Sequence, residues 1–307
     1  MAEKREDSIL KAFVKVAIVF FVDYLVNIIW SVIATAIYVA VIYSVGRAGL
    51  GASELMDTLT KSPGYLFAVS AYNLLIIFIV RLFWRYSDKK DPGIMGLGWK
   101  RNSLKLFSIG IAGGTVEMLL IILVSLAAGT LWFQSSGLAI FTTQEILKSL
   151  FFGILTFVLV GFGEETLFRG YIQKRLMLVI GRGWALLISS LVFTAAHLFT
   201  YAKPLDFIDI ALGGVVMGYL YMLTDSLYLP AGYHFMFDFI QVNIAKLQEY
   251  EYYKGAVMFI FNNSGDLVIS KVNFGNIVEV SFVAVELMLL ALFYIFRDKI
   301  KDLKALN

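Results

Sequence analysis

The chain has 307 residues, of which 59% are hydrophobic and 16% charged, and its mean hydropathy is +0.78. Soluble domains carry about 25% charged residues, so this composition indicates a polytopic membrane protein. The formal net charge of +3 gives no reason to expect a nucleic-acid partner, and the lack of cysteine excludes disulfides, thiolate metal sites and cysteine nucleophiles. Any histidine chemistry must use His197 and His234, the two histidines of the chain.

Eight apolar runs are long enough, or nearly so, to cross a bilayer, whose hydrocarbon core takes about 20 residues of helix. In chain order they cover residues 18–44, 64–84, 104–129, 146–163, 184–200, 206–224, 229–244 and 276–296. We therefore predict an all-α fold, a polytopic bundle of about eight transmembrane helices that forms a single membrane domain over 1–307. The fourth helix is expected to continue to about Ile180, and the longest loop, 245–275, is expected to lie outside.

The distribution of lysine and arginine predicts the orientation of the bundle. These residues gather in the segments 85–101, 169–182 and 297–304, and Lys4, Arg5, Lys11 and Lys15 precede the first helix. An eight-helix count places all of them on one side of the membrane. Because cytoplasmic loops carry the excess of positive charge, we predict a multi-pass integral membrane protein with both termini in the cytoplasm.

Two adjacent acids, Glu164 and Glu165, follow the fourth apolar run without a break. An ionisable group at the centre of a spanning helix costs about 2.5–3.5 kcal/mol, so something must offset their burial. Residues four apart share a helix face, which predicts an ion pair between Glu165 and Arg169. Glu164 points about 100° away on the helix and lacks that partner. The spacing therefore predicts a structural Glu165 and a Glu164 that is available for chemistry.

Two further polar groups lie in predicted membrane helices. Phe193 and His197 are four residues apart in helix five, and His234 and Asp238 share one face of helix seven. If these residues face one cavity with Glu164, they supply a base, two imidazoles and an orienting carboxylate, which is what amide hydrolysis needs. One conflict remains, because helix five would place His197 far from the cytoplasmic end where Glu164 falls. The two can meet only if helix four is long or helix five starts deeper.

A structural interpretation must be weighed for each of these residues. A membrane histidine more often makes an interhelical hydrogen bond than a reaction, and an isolated Glu–Arg pair is commonly structural. The remaining acids Asp23, Glu117, Asp209 and Glu286 are interpreted as packing or interfacial residues, and the glycines Gly213, Gly214 and Gly218 as close contacts between helices. The coincidence of both histidines with patterned partners favours the catalytic interpretation.

The three motifs resemble those of the CAAX-processing and bacteriocin-processing (CPBP, or Abi) family of intramembrane proteases, over residues 145–243. They are Glu-Glu-x-x-x-Arg at Glu164, Phe-x-x-x-His at Phe193 and His-x-x-x-Asp at His234. The resemblance implies an eight-helix core, a cavity reached from the cytoplasmic side and endopeptidase activity on a membrane-associated peptide or protein.

The resemblance also implies roles for individual residues. Glu164 would activate water with His197, while His234 and Asp238 would stabilise the oxyanion. Members that cut prenylated proteins usually carry asparagine in place of Asp238, and an aspartate cannot donate a hydrogen bond unless it is protonated. Asp238 is therefore alternatively expected to hold His234 in one tautomer.

Alternatives remain open at this point. The chain could be a catalytically silent scaffold or immunity protein, or a proton-coupled transporter, although the sequence shows none of the inverted repeats expected of many transporters. No cofactor is required, since Glu164 can act as a metal-free base. A zinc ion would need three protein ligands, which His197, His234 and either Glu164 or Asp238 could supply. The expected partners are the lipid bilayer and a membrane-associated substrate.

Overall fold

The computed structural model describes residues 8–44, 49–198, 203–247 and 254–303, and within them the chain is mostly helical. The α-helices of these residues are α1 (Ile9–Ser44), α2 (Ala52–Thr60), α3 (Pro63–Ser70), α4 (Tyr72–Tyr86), α5 (Ser103–Ala127), α6 (Thr143–Glu165), α7 (Lys174–Ile180), α8 (Arg182–Ala196), α9 (Pro204–Thr224), α10 (Tyr228–Phe239), α11 (Glu279–Ile295) and α12 (Arg297–Asp302). π-helical segments follow α6 at Thr166–Gln173 and α10 at Ile240–Ile244.

Several of these helices are long and apolar enough to cross a membrane. Within the described residues five units meet that condition, namely Ile9–Ser44, Pro63–Tyr86, Ser103–Ala127, Thr143–Ile180 and Pro204–Thr224. The helices α8, α10 and α11 are shorter but also apolar. The prediction of a polytopic, mostly helical membrane bundle is therefore confirmed.

The prediction that the fold is entirely α-helical is wrong outside the bundle. Strands β1 (Leu131–Ser136), β2 (Ala245–Lys246) and β3 (Phe259–Asn263) form a sheet in the order β1-β3-β2, and β4 (Asp266–Ile269) pairs with β5 (Val272–Asn276) as a hairpin. β3 runs antiparallel to β1 and parallel to β2. β1 and β3 are more than a hundred residues apart in the chain, so no local period in the sequence reveals their pairing.

Polar contacts distinguish the two ends of the bundle. At the end that we call the basic end, Asp88 pairs with Lys15 Nζ at 2.7 Å and with Arg175 Nη1 at 2.8 Å, and its side chain is fully buried. The amide of Asn102 donates to the carbonyl of Leu303 at the same end. The strands lie at the opposite end, which we call the sheet end. Part of the predicted topology, residues 1–7 and 304–307, lies outside the described residues.

The helix α10 packs at the centre of the bundle against α5 and α6 through glycines. A Cβ atom on Gly161 of α6 would lie 2.7 Å from the carbonyl oxygen of Ala231, so only glycine permits this approach. Gly214 of α9 lies against Ser190 of α8 in the same way, with 3.1 Å from a Cβ position to the serine Cβ. Small residues let membrane helices approach closely, and the predicted packing role of Gly214 is confirmed.

Candidate active site

The two adjacent glutamates end α6, immediately before the π-helical segment Thr166–Gln173. Arg169 Nη1 donates to Glu165 Oε1 at 2.9 Å, and both side chains are buried. The side chain of Glu164 is 18% exposed and lines an internal cavity. The predicted ion pair is therefore present, and the two glutamates differ in surroundings as their helix angles predicted.

Arg169 also links its own helical segment to α8 and α9. Its Nη2 donates to the carbonyl oxygen of Gly214 in α9 at 3.2 Å, and its guanidinium carbon lies 4.5 Å from the centre of the Phe193 ring of α8. A cation over an aromatic face is attracted by the ring, most strongly where water is excluded. The predicted supporting residues Glu165, Arg169 and Phe193 thus form one buried unit.

His234 lies between carboxylates from two helices. Its Nδ1 is 3.0 Å from Glu165 Oε1, while its Nε2 is 3.4 Å from Asp238 Oδ2 and 3.9 Å from Glu164 Oε2. Asp238 lies beside Nε2, as the spacing predicted, but Glu165, which the sequence did not connect with His234, makes the closer contact, at the other ring nitrogen. Glu165 accepts from both Arg169 and His234, so it positions the imidazole as well as pairing the arginine.

His197 follows the last residue of α8 and lines the same cavity as Glu164. Its Nδ1 is 2.8 Å from the carbonyl oxygen of Phe193. A carbonyl can only accept, so Nδ1 carries a hydrogen and a neutral ring has its lone pair on Nε2. The expected conflict between the depths of His197 and Glu164 does not arise, because the unit Thr143–Ile180 is 38 residues long and carries Glu164 near its middle.

The cavity has a volume of about 430 Å³ and brings together the four predicted catalytic residues, Glu164, His197, His234 and Asp238. It lies in the half of the bundle nearer the sheet end. Four of the five lining residues of α9, for example, belong to the half of that helix that begins at Pro204, next to β5. Preorganised polar groups act most strongly on a reaction where the surrounding protein displaces water.

Acids that the sequence interpretation assigned to packing also line this cavity. Glu117, Asp209 and Glu286 do so together with Glu279, which was not singled out. The signal that could have identified them is their position within apolar helices, since an ionisable residue in a membrane is by default a functional candidate. Whether these side chains point into the cavity depends on how each helix is rotated about its axis, and no local sequence pattern predicts that rotation.

The residues named as possible zinc ligands do not converge as a metal site. Among the described residues, no group of three or more histidine, aspartate and glutamate side chains is arranged to hold a metal ion. The Nδ1 atoms of His197 and His234 are engaged with a backbone carbonyl and with Glu165, so Nε2 is the ring nitrogen that each could offer to a metal ion. Because Glu164, His197 and His234 do not gather around one point, this set does not fit zinc in this arrangement.

Comparisons with known proteins agree with the motifs. Residues 146–240 match the family described as type II CAAX prenyl endopeptidase Rce1-like, and this range contains all three motifs. The uncharacterized protein YpbD of Bacillus subtilis (strain 168) is 30% identical over 175 residues, which cover 54% of this chain and 82% of YpbD. No solved structure matches the chain. The chain therefore belongs to the Rce1-like type II CAAX prenyl endopeptidase (CPBP) family.

Proposed function

We propose that this chain is an intramembrane endopeptidase that hydrolyses a peptide bond of a membrane-associated protein or peptide. The observation that carries the proposal is the meeting of Glu164, His197, His234 and Asp238 around one cavity inside an apolar bundle. Family membership supports peptide-bond hydrolysis as the reaction.

In this proposal Glu164 is the base. It takes a proton from a water molecule that also donates to Nε2 of His197, and the resulting hydroxide attacks the carbonyl carbon of the substrate. Glu164 then returns the proton to the departing amide nitrogen as the carbon–nitrogen bond breaks. The water supplies the oxygen and hydrogens that the two products gain, so the reaction balances without a metal or cofactor.

His234 would stabilise the oxyanion that forms on the attacked carbonyl. Its Nδ1–H donates to Glu165, which fixes the orientation of the ring, and the protonated ring would donate its second hydrogen, on Nε2, to the oxyanion. Asp238 lies beside that nitrogen and would orient the ring rather than donate, since an ionised carboxylate only accepts. The aspartate thereby differs in role from the asparagine that the resemblance leads one to expect.

The proposal includes the topology. Eight passes, formed by α1, α3 with α4, α5, α6 with α7, α8, α9, α10 and α11, agree with the alternation of loops between the two ends. Positive charges gather at the basic end, which supports cytoplasmic termini. The helices then form a single membrane domain over 1–307 whose motif-bearing core covers about 145–243.

This topology changes one expectation that came with the resemblance. The resemblance implies a cavity reached from the cytoplasm, whereas the cavity lies in the half nearer the sheet end, which cytoplasmic termini would place outside. We retain the cytoplasmic termini, since they follow from the charges of this chain. The proposed site of cleavage is accordingly the outer half of the membrane.

The test is cleavage of a panel of membrane-anchored peptides by the purified full chain in lipid nanodiscs. The wild type is expected to cleave at least one member, and Glu164→Gln is expected to leave all of them intact while remaining folded. Glu54→Gln, the same chemical change at an exposed glutamate of α2, is the matched control and should retain full activity. Equal cleavage by the wild type and Glu164→Gln contradicts the proposal.

A panel that the wild type never cleaves would favour the alternatives. A silent scaffold would bind a membrane partner equally well with and without Glu164→Gln. A proton-coupled transporter would instead show substrate uptake into liposomes that depends on a pH gradient, and this uptake would be lost in the variant.

A further inference from the structure

A second polar group faces the cavity from α5, α9 and α11. It consists of Glu117, Asp209, Glu279 and Glu286, which we call the acidic pole. Glu117, Glu279 and Glu286 are 1–2% exposed. None of the four belongs to the motifs, and the proposed hydrolysis does not use them. Four carboxyl groups in an apolar interior need a reason, since buried charges are normally paired.

The four groups lie close to one another. The carboxyl group of Glu286 interacts electrostatically with those of Asp209, Glu117 and Glu279. It also faces α9, since a Cβ atom on Gly213 would lie 3.1 Å from its Oε1. The glycine thus leaves room for this carboxyl group at the cavity wall. The only basic side chains among the described residues that line the cavity are His197 and His234, which the catalytic group already uses.

Several oxygens of the acidic pole make no hydrogen bond of good geometry within the described part of the chain, although Glu117 interacts with Tyr233 and Asp209 with Glu286. They are both side-chain oxygens of Glu117, Oδ1 of Asp209 and Oε2 of Glu286. The buried hydroxyl of Tyr233 faces Glu117, but this contact is too poorly aligned to satisfy either group fully. Buried polar atoms are otherwise almost always paired, so these oxygens indicate a group that enters from the cavity and donates several hydrogen bonds.

The spacing of the carboxyl groups favours an organic cation over a metal ion. No three of them are arranged to coordinate one ion, as far as the structure describes the chain. A cavity of about 430 Å³ has room for a side chain together with the peptide segment that carries it. Guanidinium presents five donors and ammonium three, which matches several acceptors spread around a space.

We propose that the acidic pole is a subsite that binds the cationic side chain of a lysine or arginine close to the scissile bond of the substrate. This inference rests on the proposed peptidase function and adds a substrate class to it. The alternative is that the four carboxyl groups share protons among themselves and serve packing, in which case the site has no preference for a cation.

The first experiment measures cleavage of paired peptides. Each pair is anchored in nanodiscs and differs at one position near the scissile bond, with lysine in one member and norleucine in the other. The wild type is expected to prefer the lysine member in kcat/KM about 30-fold, the typical size of a desolvated charge contact. In Glu286→Gln and Glu117→Gln this ratio should fall to within about threefold of one. Glu54→Gln is the matched control and should keep the wild-type ratio.

The second experiment separates this inference from the peptidase proposal, because it needs no cleavage. Binding of hexylguanidinium and of the uncharged hexylurea is measured by calorimetry on the full chain in nanodiscs. Na⁺ and Ca²⁺ are titrated in the same way as inorganic cations for comparison. We expect saturable binding of the guanidinium to the wild type and to Glu164→Gln, and loss of that binding in Glu286→Gln.

Each outcome decides one of the two claims. Binding without cleavage of any peptide would retain the cation subsite and reject the peptidase. Equal binding of guanidinium and urea, a wild-type cleavage ratio near one, or binding of Ca²⁺ in place of the guanidinium would reject the cation subsite. If one glutamine variant does not fold, the comparison of lysine and norleucine on the wild type still decides the outcome.

Discussion

Replacing Glu165 should lower stability much more than replacing Glu164, although both replacements should abolish cleavage. Glu165 Oε1 lies 2.9 Å from Arg169 Nη1 and 3.0 Å from His234 Nδ1, and both glutamate and arginine side chains are at most 1% exposed. Glu165→Gln removes the charge that compensates the buried guanidinium. Breaking a buried pair in this way costs about 3–5 kcal/mol of unfolding free energy.

Glu164→Gln should cost far less stability. Its Oε2 makes no hydrogen bond within the described residues, and its side chain is 18% exposed to the cavity. The replacement of such a group should change the unfolding free energy by less than about 1.5 kcal/mol. The two variants therefore should differ by roughly 2 kcal/mol or more, while both should lose peptide cleavage.

The assay is reversible denaturation in mixed micelles, with cleavage measured on the same preparations. A third variant, Glu165→Gln with Arg169→Gln, tests the mechanism, because removing both charges should recover part of the loss, with a coupling of about 0.5–3 kcal/mol. Equal unfolding free energies for Glu164→Gln and Glu165→Gln, both near the wild-type value, would refute this division between the two glutamates.

Three further predictions can be checked independently. Asp88→Ala should lower the unfolding free energy by about 3–5 kcal/mol, because the buried Arg175 and the mostly buried Lys15 both lose a buried carboxylate contact. Asp57→Ala breaks an exposed pair and should change the unfolding free energy by less than about 1 kcal/mol, so similar losses for the two variants would contradict this reasoning. Single cysteines at Ser264 and Ser8 should react differently with an impermeant thiol reagent in intact cells, and labelling at Ser8 rather than Ser264 would reverse the topology. Peptidase activity should survive dialysis against a strong chelator. Loss of that activity, its specific rescue by Zn²⁺ and loss of bound metal in His197→Ala would together overturn the metal-free route.

The sequence predicted what depends on local spacing. Apolar runs gave the spanning helices, and the four-residue interval between Glu165 and Arg169 gave their ion pair. The same interval placed His234 and Asp238 on one face, and their side chains do approach within 3.4 Å. Such features follow from the period of the helix and need no knowledge of neighbouring helices.

The features that were missed depend on contacts between distant segments. Glu165 and His234 are 69 residues apart, and their contact requires that α10 pass beside α6. The orientation of Glu117 and Glu286 toward the cavity depends on the rotation of α5 and α11, which an evenly apolar helix does not specify. The sheet was missed for the same reason, since β1 and β3 pair although they are more than a hundred residues apart.

The most direct test of the central claim is the mass of the products formed from one membrane-anchored peptide in proteoliposomes. For the wild type we predict two fragments whose masses add up to that of the substrate plus one water molecule, and for Glu164→Gln the intact peptide. An intact peptide with the wild type, or the same two fragments with Glu164→Gln, would contradict the claim that this chain hydrolyses peptide bonds with Glu164 as its base.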